Sequence, residues 1–199
     1  MRKKPKILLI EIQLKWADIP VWRIVELPHT HTLHELHCCI QVAMGWESCH
    51  LYEFRIKDKR YGMDPMEYML IDEDSNVLNA DDVKLYDLGL AVGDTFSYTY
   101  DFGDGWEHEI TVKGYTPHQT DSYSKLPICL AGAMACPPED IGGIPVYNAI
   151  VQYRLHRNPI EFDPDLEEIF KDFDPYETRI HSRFVFPSSF RSLLRDSRS

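Results

Sequence analysis

The chain has 199 residues, 44% of them hydrophobic, which suits one folded domain with its own core. Nowhere do about 18 apolar residues run together, so no transmembrane helix is expected. The formal net charge of −11 repels nucleic acid at long range and argues against a body built to hold a polyanion.

The start, "MRKKPKILLIEIQL", is basic, but Glu11 and Gln13 break its apolar run. No small-residue cleavage site follows, so a signal peptide is not expected. The five cysteines are odd in number and the chain is not short. Reduced thiols and a cytoplasmic location are the expectation.

"KILLIEIQL" alternates as a strand, with Leu8, Ile10, Ile12 and Leu14 on one face. "VWRIVEL" is a second strand and completes a hairpin. Arg23 falls among apolar neighbours there, so an acidic partner is expected for it. "THTLHELHCCIQVAMGW" reads as a helix over 32–44, with a Thr32/Glu35 capping box and Gly45 at its end. Leu33, Leu36, Ile40, Ala43 and Met44 form the inward stripe. His34, His37, Cys38 and Gln41 are expected on a solvated face. His34 and Cys38 lie four apart, but two ligands alone make no metal site. "HLYEFRI" is a third strand. Residues 58–82 read as acidic and irregular, with "DEDSN" as a loop, and "VKLYDLGLAVGD" as a short helical turn before a tight loop.

The densest chemistry lies in "TFSYTYDFGDGWEHEITVK". Two strands alternate there, with rings on one face and polar groups on the other. A two-residue Asp104-Gly105 turn would set Phe102 against Glu107 and place acids on the aromatic face. A three-residue Gly103-Asp104-Gly105 turn sets Phe102 against Trp106, Tyr100 against His108 and Tyr98 against Ile110. The second register matches faces and is preferred. It brings Asp101 opposite Glu107, with Glu109 on the same face. Like charges so placed call for solvation, Lys113, Arg23, a metal or a partner's base. His108 points to the aromatic side and is expected to be packed and hydrogen-bonded. From Asp58 to Glu109 there are 14 acids against 3 bases. The segment is neither a kinase DFG motif nor an EF-hand, because the companion residues of each are missing.

"CLAGAMACPPEDIGGIPVY" is the second dense patch. Cys129 and Cys136 are six residues apart internally, wider than usual zinc pairs, and read first as neighbouring thiols. A metal or a redox pair is the alternative, with Glu139, Asp140, His50 or His118 completing a metal set. Pro145 opens a helix bearing Tyr147, Ile150, Val151 and Leu155. A further helix is expected from Asp163, with Leu166, Ile169 and Phe170 inward. No nucleophile elbow, phosphate loop, dinucleotide fingerprint or HExxH zinc motif is present.

Several of these stretches occur together and in order: "IPVWRIVELP", "TLHELHCCIQVAMGWESCHLYEFRI", "YGMDP", "VKLYDLGLAVGDTFSYTYDFGDGWEHEI", "PICLAGAMACPPEDIGGIPVY" and "DFDP". In that order the chain resembles plasmid pRiA4b ORF-3-like proteins, between Ile7 and Pro175. The resemblance implies a small soluble α+β protein and no established activity. The family pattern often has a third cysteine where this chain has Ile141, which argues against an obligatory cysteine–metal cluster. Resolvase or repressor labels carried by some relatives find no serine motif here. The Arg-rich end (Arg179, Arg183, Arg191, Arg195 and Arg198) falls outside the resemblance.

The expected fold is therefore α+β: a mixed, mainly antiparallel, β-grasp-like sheet with one helix across a face and C-terminal helices at the side. One domain covers 1–175 and a basic extension 176–199. Two functions are carried. The first, and the preferred one, is a non-enzymatic adaptor that binds a protein or peptide through Asp101, Asp104, Glu107, Glu109, Arg23, Trp106, Glu139 and Asp140. Exposed Tyr98, Tyr100 or Trp106 in a groove would favour it. The second is a metal-dependent hydrolase or nuclease using the Asp101, Asp104, Glu107 and Glu109 carboxylates with Glu139 and Asp140, favoured if they converge. No catalytic residue is assigned at this stage. No cofactor is expected, with a divalent metal as the alternative. Cys129, Cys136, His50 and His108 are the remaining metal candidates. No membrane partner is expected, and nucleic acid only through the basic tail.

Overall fold

The structure, a computed structural model, describes residues 6–63, 76–117, 127–156, 170 and 173–177. The expected helix from Asp163, His118 and most of the basic extension lie outside the described residues. Strands β1 (Lys6–Leu14) and β2 (Trp22–Pro28) form the expected hairpin. Helix α1 (Leu33–Met44) follows, then β3 (Tyr52–Ile56), β4 (Lys59–Gly62) and β5 (Val77–Asn79). Two short 3₁₀ turns, Ala80–Asp82 and Leu85–Leu88, lead to β6 (Thr95–Tyr100) and β7 (Trp106–Pro117). Strand β8 (Ile128–Ala133) and helix α2 (Gly143–His156) complete the order. Among the described residues no helix is long and apolar enough to cross a membrane.

One eight-stranded sheet joins them in the order β5-β4-β3-β6-β7-β1-β2-β8. Every neighbouring pair is antiparallel except β4–β5. The architecture is α+β with a mixed, mostly antiparallel sheet and two described helices. Alternation drives the burial. Leu8, Ile10, Ile12 and Leu14 point into the core, and so do Phe96, Tyr98, Tyr100, Trp106, His108 and Ile110. Strands β4 and β5 fall in the stretch that reads as irregular, and they extend the sheet at its β3 side.

Helix α1 begins on the expected capping box. Thr32 Oγ1 accepts from Glu35 N at 3.1 Å, and Glu35 Oε2 accepts from Thr32 N at 2.8 Å. Gly45 ends it in the left-handed region, at φ 84°. The expectation of a solvated polar face is wrong. His37, Cys38 and Gln41 are buried. The polar side chains are absorbed because β3 and β6 offer hydroxyls to match. His37 stacks on Tyr52 at 3.7 Å, and its Nδ1 lies 2.8 Å from Tyr98 Oη. Gln41 Nε2 donates to the same oxygen at 2.9 Å. Burial, then nearby His34, lowers the His37 pKa, so the buried ring is neutral at neutral pH.

The β6–β7 hairpin needs a second correction. The faces match as expected, but the register is offset by two residues: Tyr100 pairs with Trp106, Tyr98 with His108 and Phe96 with Ile110. The connection therefore runs from Asp101 to Gly105, and Phe102 is exposed within it. Asp101 leaves the strand in the left-handed region at φ 53°, closed by Gly105 N donating to Asp101 O at 2.6 Å. Asp101 thus does not oppose Glu107, whose partner is Thr99.

Candidate functional site

Three connections meet at one end of β6. Residues 47–50 join α1 to β3, residues 101–105 turn β6 into β7, and residues 134–142 join β8 to α2. Trp46 anchors the first by stacking on Tyr100 at 5.1 Å and donating Nε1 to Pro137 O at 2.9 Å. Gln41 Oε1 accepts from Ser48 N at 3.1 Å, and Asp101 N donates to Leu51 O at 2.9 Å. Asp104 fastens the turn to the third connection, accepting from Ile141 N at 3.1 Å and Gly142 N at 3.2 Å. Ser48, Asp101 and Asp140 are all non-glycine residues with positive φ, at 60°, 53° and 58°. Such backbone is held only where its surroundings over-determine it.

This framework gathers two overlapping donor groups, His50–Asp101–Asp140 and Cys49–His50–Glu139, each with ligand atoms within 4.8 Å of one another. His50 Nε2 lies 3.0 Å from Asp140 Oδ1 and 3.9 Å from Asp101 Oδ2. That nitrogen is enclosed yet lacks an aligned hydrogen bond. His50 Nε2 and Asp140 Oδ1 are thus in close contact without aligned hydrogen-bond geometry. Asp101 is buried, its Oδ1 held by Gly103 N at 2.9 Å, whereas Asp140 is exposed. Glu139 accepts from Tyr100 Oη through a very short hydrogen bond and from Glu47 N at 2.9 Å. Among the described residues no lysine or arginine is ion-paired with Asp101, Glu139 or Asp140.

Local charge moves the neighbouring protons upward. Loss of solvation, with Glu139 and Asp140 adding, raises the Cys49 pKa, so the free thiol keeps its proton near neutrality. Burial and the Glu139 hydrogen bond raise that of Tyr100. A cation among these groups would relieve the crowded negative charge. Nitrogen and carboxylate donors suit zinc, manganese or iron, and the adjacent thiol adds a soft donor.

The remaining residues singled out in the sequence lie elsewhere. Glu107 and Glu109 are exposed away from this cluster, because their β7 positions alternate with buried Trp106 and His108. Arg23 is buried and, among the described residues, has no acidic partner of the kind expected. Its guanidinium donates to the carbonyls of Trp22, Ala43, Ala133 and Met134 at 2.7–3.1 Å, and to Cys136 Sγ at 3.0 Å. Cys136 also lies 3.2 Å from Met44 Sδ, and burial raises its pKa to about 11. Cys129 and Cys136 are free thiols and belong to neither donor group. His108 is packed, with Nδ1 3.0 Å from Trp106 O. Tyr98, Tyr100 and Trp106 are fully buried, so they do not form the exposed aromatic groove that a peptide-binding surface would need there. Cys49 was missed as a site residue; its signal was a Cys-His pair directly before a strand.

A family model described as plasmid pRiA4b ORF-3-like protein matches residues 6–181. An uncharacterized protein, y4hQ, of Sinorhizobium fredii is 38% identical over 138 residues, which span 67% of this chain and 66% of that protein. The crystal structure of MM3350, a protein of unknown function from Methanosarcina mazei Go1, superposes with a TM-score of 0.74 at 24% identity. That match covers 91% of this chain and 99% of the other, and shows the fold alone.

Proposed function

The chain belongs to the plasmid pRiA4b ORF-3-like family, whose matched relatives name no reaction, and from its own site we propose that it is a metal-dependent hydrolase. The reading rests on one observation: His50 Nε2, enclosed and without an aligned hydrogen bond, lies among the Asp101 and Asp140 carboxylates. His50, Asp101 and Asp140 would hold a divalent transition metal ion, and Asp140 lies on the exposed side of the group, where water and substrate would enter. The bound ion would acidify that water and polarise the bond under attack. Glu139, within reach of His50 and Cys49, would accept the water's proton and return it to the leaving group, so that the bond from the water oxygen would form as the bond to the leaving group breaks. Tyr100 and Glu47 hold the Glu139 carboxylate in place.

The net charge of −11 disfavours nucleic acid as substrate, so a small neutral ester or amide is the better fit. The β1–β2 hairpin followed by helix α1 supports a β-grasp-like reading of the fold, which remains part of this proposal.

Elemental analysis of protein purified without chelator, with zinc and manganese titrations of metal-stripped protein, tests this reading. About one equivalent of metal is expected, with affinity falling roughly 100-fold or more in His50→Ala and Asp140→Asn. Turnover of a chromogenic ester should disappear with the metal and fall at least about 100-fold in Glu139→Gln. Failure of both titrations to show a saturable site would overturn the proposal.

A further inference from the structure

On the β1–β2 connection, Trp16 is the most exposed large hydrophobic residue among those described, at 68% of its surface. Its backbone stands at φ 65°, in the left-handed region that bulky side chains avoid. The neighbouring backbone is well anchored. Trp16 O accepts from Asn148 Nδ2 at 2.9 Å, Asp18 N donates to Asn148 Oδ1 at 2.9 Å, and Asp18 Oδ2 accepts from Gln152 Nε2 at 2.7 Å. The indole is therefore held out from α2 and β1 on a rigid mount.

Beside it lies a cleft of about 380 Å³, lined by residues 13–20 and Glu109. Glu107 Oε2 fixes the ring by accepting from Trp16 Nε1 at 3.1 Å. Glu109 is exposed and has no side-chain partner among the described residues. The Lys15 ammonium stands 5.0 Å from the indole centroid and makes no ion pair among the described residues. This aromatic face thus already receives a cation, with carboxylates beside it and Ile19 and Pro20 as an apolar wall.

We propose that this cleft is a docking site for an arginine- or lysine-bearing peptide of a partner protein. One cationic side chain stacks on Trp16 in place of Lys15, and Glu109 takes its charge. Glu107, Glu109 and Asp18 disfavour an acidic peptide, and the incoming cation displaces Lys15 from the indole. The net charge of −11 draws a basic peptide in at long range. The site is independent of the proposed metal centre. It gives Glu107 and Glu109 a role that their separation from Asp101 denies them there.

Calorimetric titration with an oligoarginine peptide, and with oligoglutamate as control, tests the assignment on the full chain. Saturable one-site binding of oligoarginine is expected, weakening with added salt. Trp16→Ala should lower affinity about 5-fold or more, as should Glu109→Gln, while Asp140→Asn leaves it unchanged. Equal affinity in Trp16→Ala, equal binding of oligoglutamate, or no saturable binding would each overturn it. Quenching of Trp16 fluorescence, read as the difference from the Trp16→Ala variant, locates the peptide. Its absence during binding would show that a general acidic surface holds the peptide instead.

Discussion

His108 shows how one buried residue couples the core to pH. It lies under Trp46 and beside Tyr98, with no exposed surface. Burial holds its pKa at about 4, below the 6.5 of an unperturbed histidine. Between those values the unfolded chain binds a proton that the folded chain refuses. Stability is therefore complete above about pH 6.5 and declines as pH falls towards 4. The shift corresponds to something on the order of 3 kcal/mol. His37, lowered by its own burial, adds to the same slope. Urea unfolding at neutral pH and near pH 4.5 should show His108→Gln losing less stability on acidification than the parent chain. An unchanged difference between the two pH values would mean that His108 does not carry this proton linkage.

At the level of elements, the candidate site depends on how two connections are bolted together. Gly143 opens α2 at φ 79°, and a Cβ there would collide with the Asp104 carbonyl oxygen. Alanine at this position must push the β8–α2 connection off the β6–β7 turn, carrying Asp140 away from Asp101. A loss of about 2 kcal/mol or more is expected, together with weakened metal binding. Unaltered stability in Gly143→Ala would show that this close approach is not maintained. The strands were legible because period-two alternation separates Tyr98 from Thr99 and His108 from Glu109. The register was not, because it turned on Asp101 adopting a left-handed backbone, for which glycine is the usual marker. The polar side of α1 misled for a related reason. Helical spacing identifies His37 and Gln41 as polar but is blind to Tyr98 waiting across the core. His50 and Cys49 carried only a weak signal, because their partners Asp101 and Glu139 come from distant segments.

Across the whole molecule, the excess of acids is a cost of folding that salt relieves. A net charge of −11 repels itself more in the compact state than in the unfolded chain. Raising ionic strength from low to physiological should therefore increase Tm by a few degrees, read by calorimetry at neutral pH. A falling Tm would mean that attractive pairs such as Lys113–Glu11 and Arg60–Glu53 outweigh the repulsion. The sheet's middle has a different consequence, one of timing. Strand β1 is flanked by β2, its immediate successor, and by β7, which begins at Trp106. As the polypeptide leaves the ribosome, the opening hairpin must wait with both rims bare, one until β7 at Trp106–Pro117 and the other until β8 at Ile128–Ala133 has emerged. Assembly is thus slowed by topology, and the nascent chain passes through an interval in which its backbone edges stand unpaired.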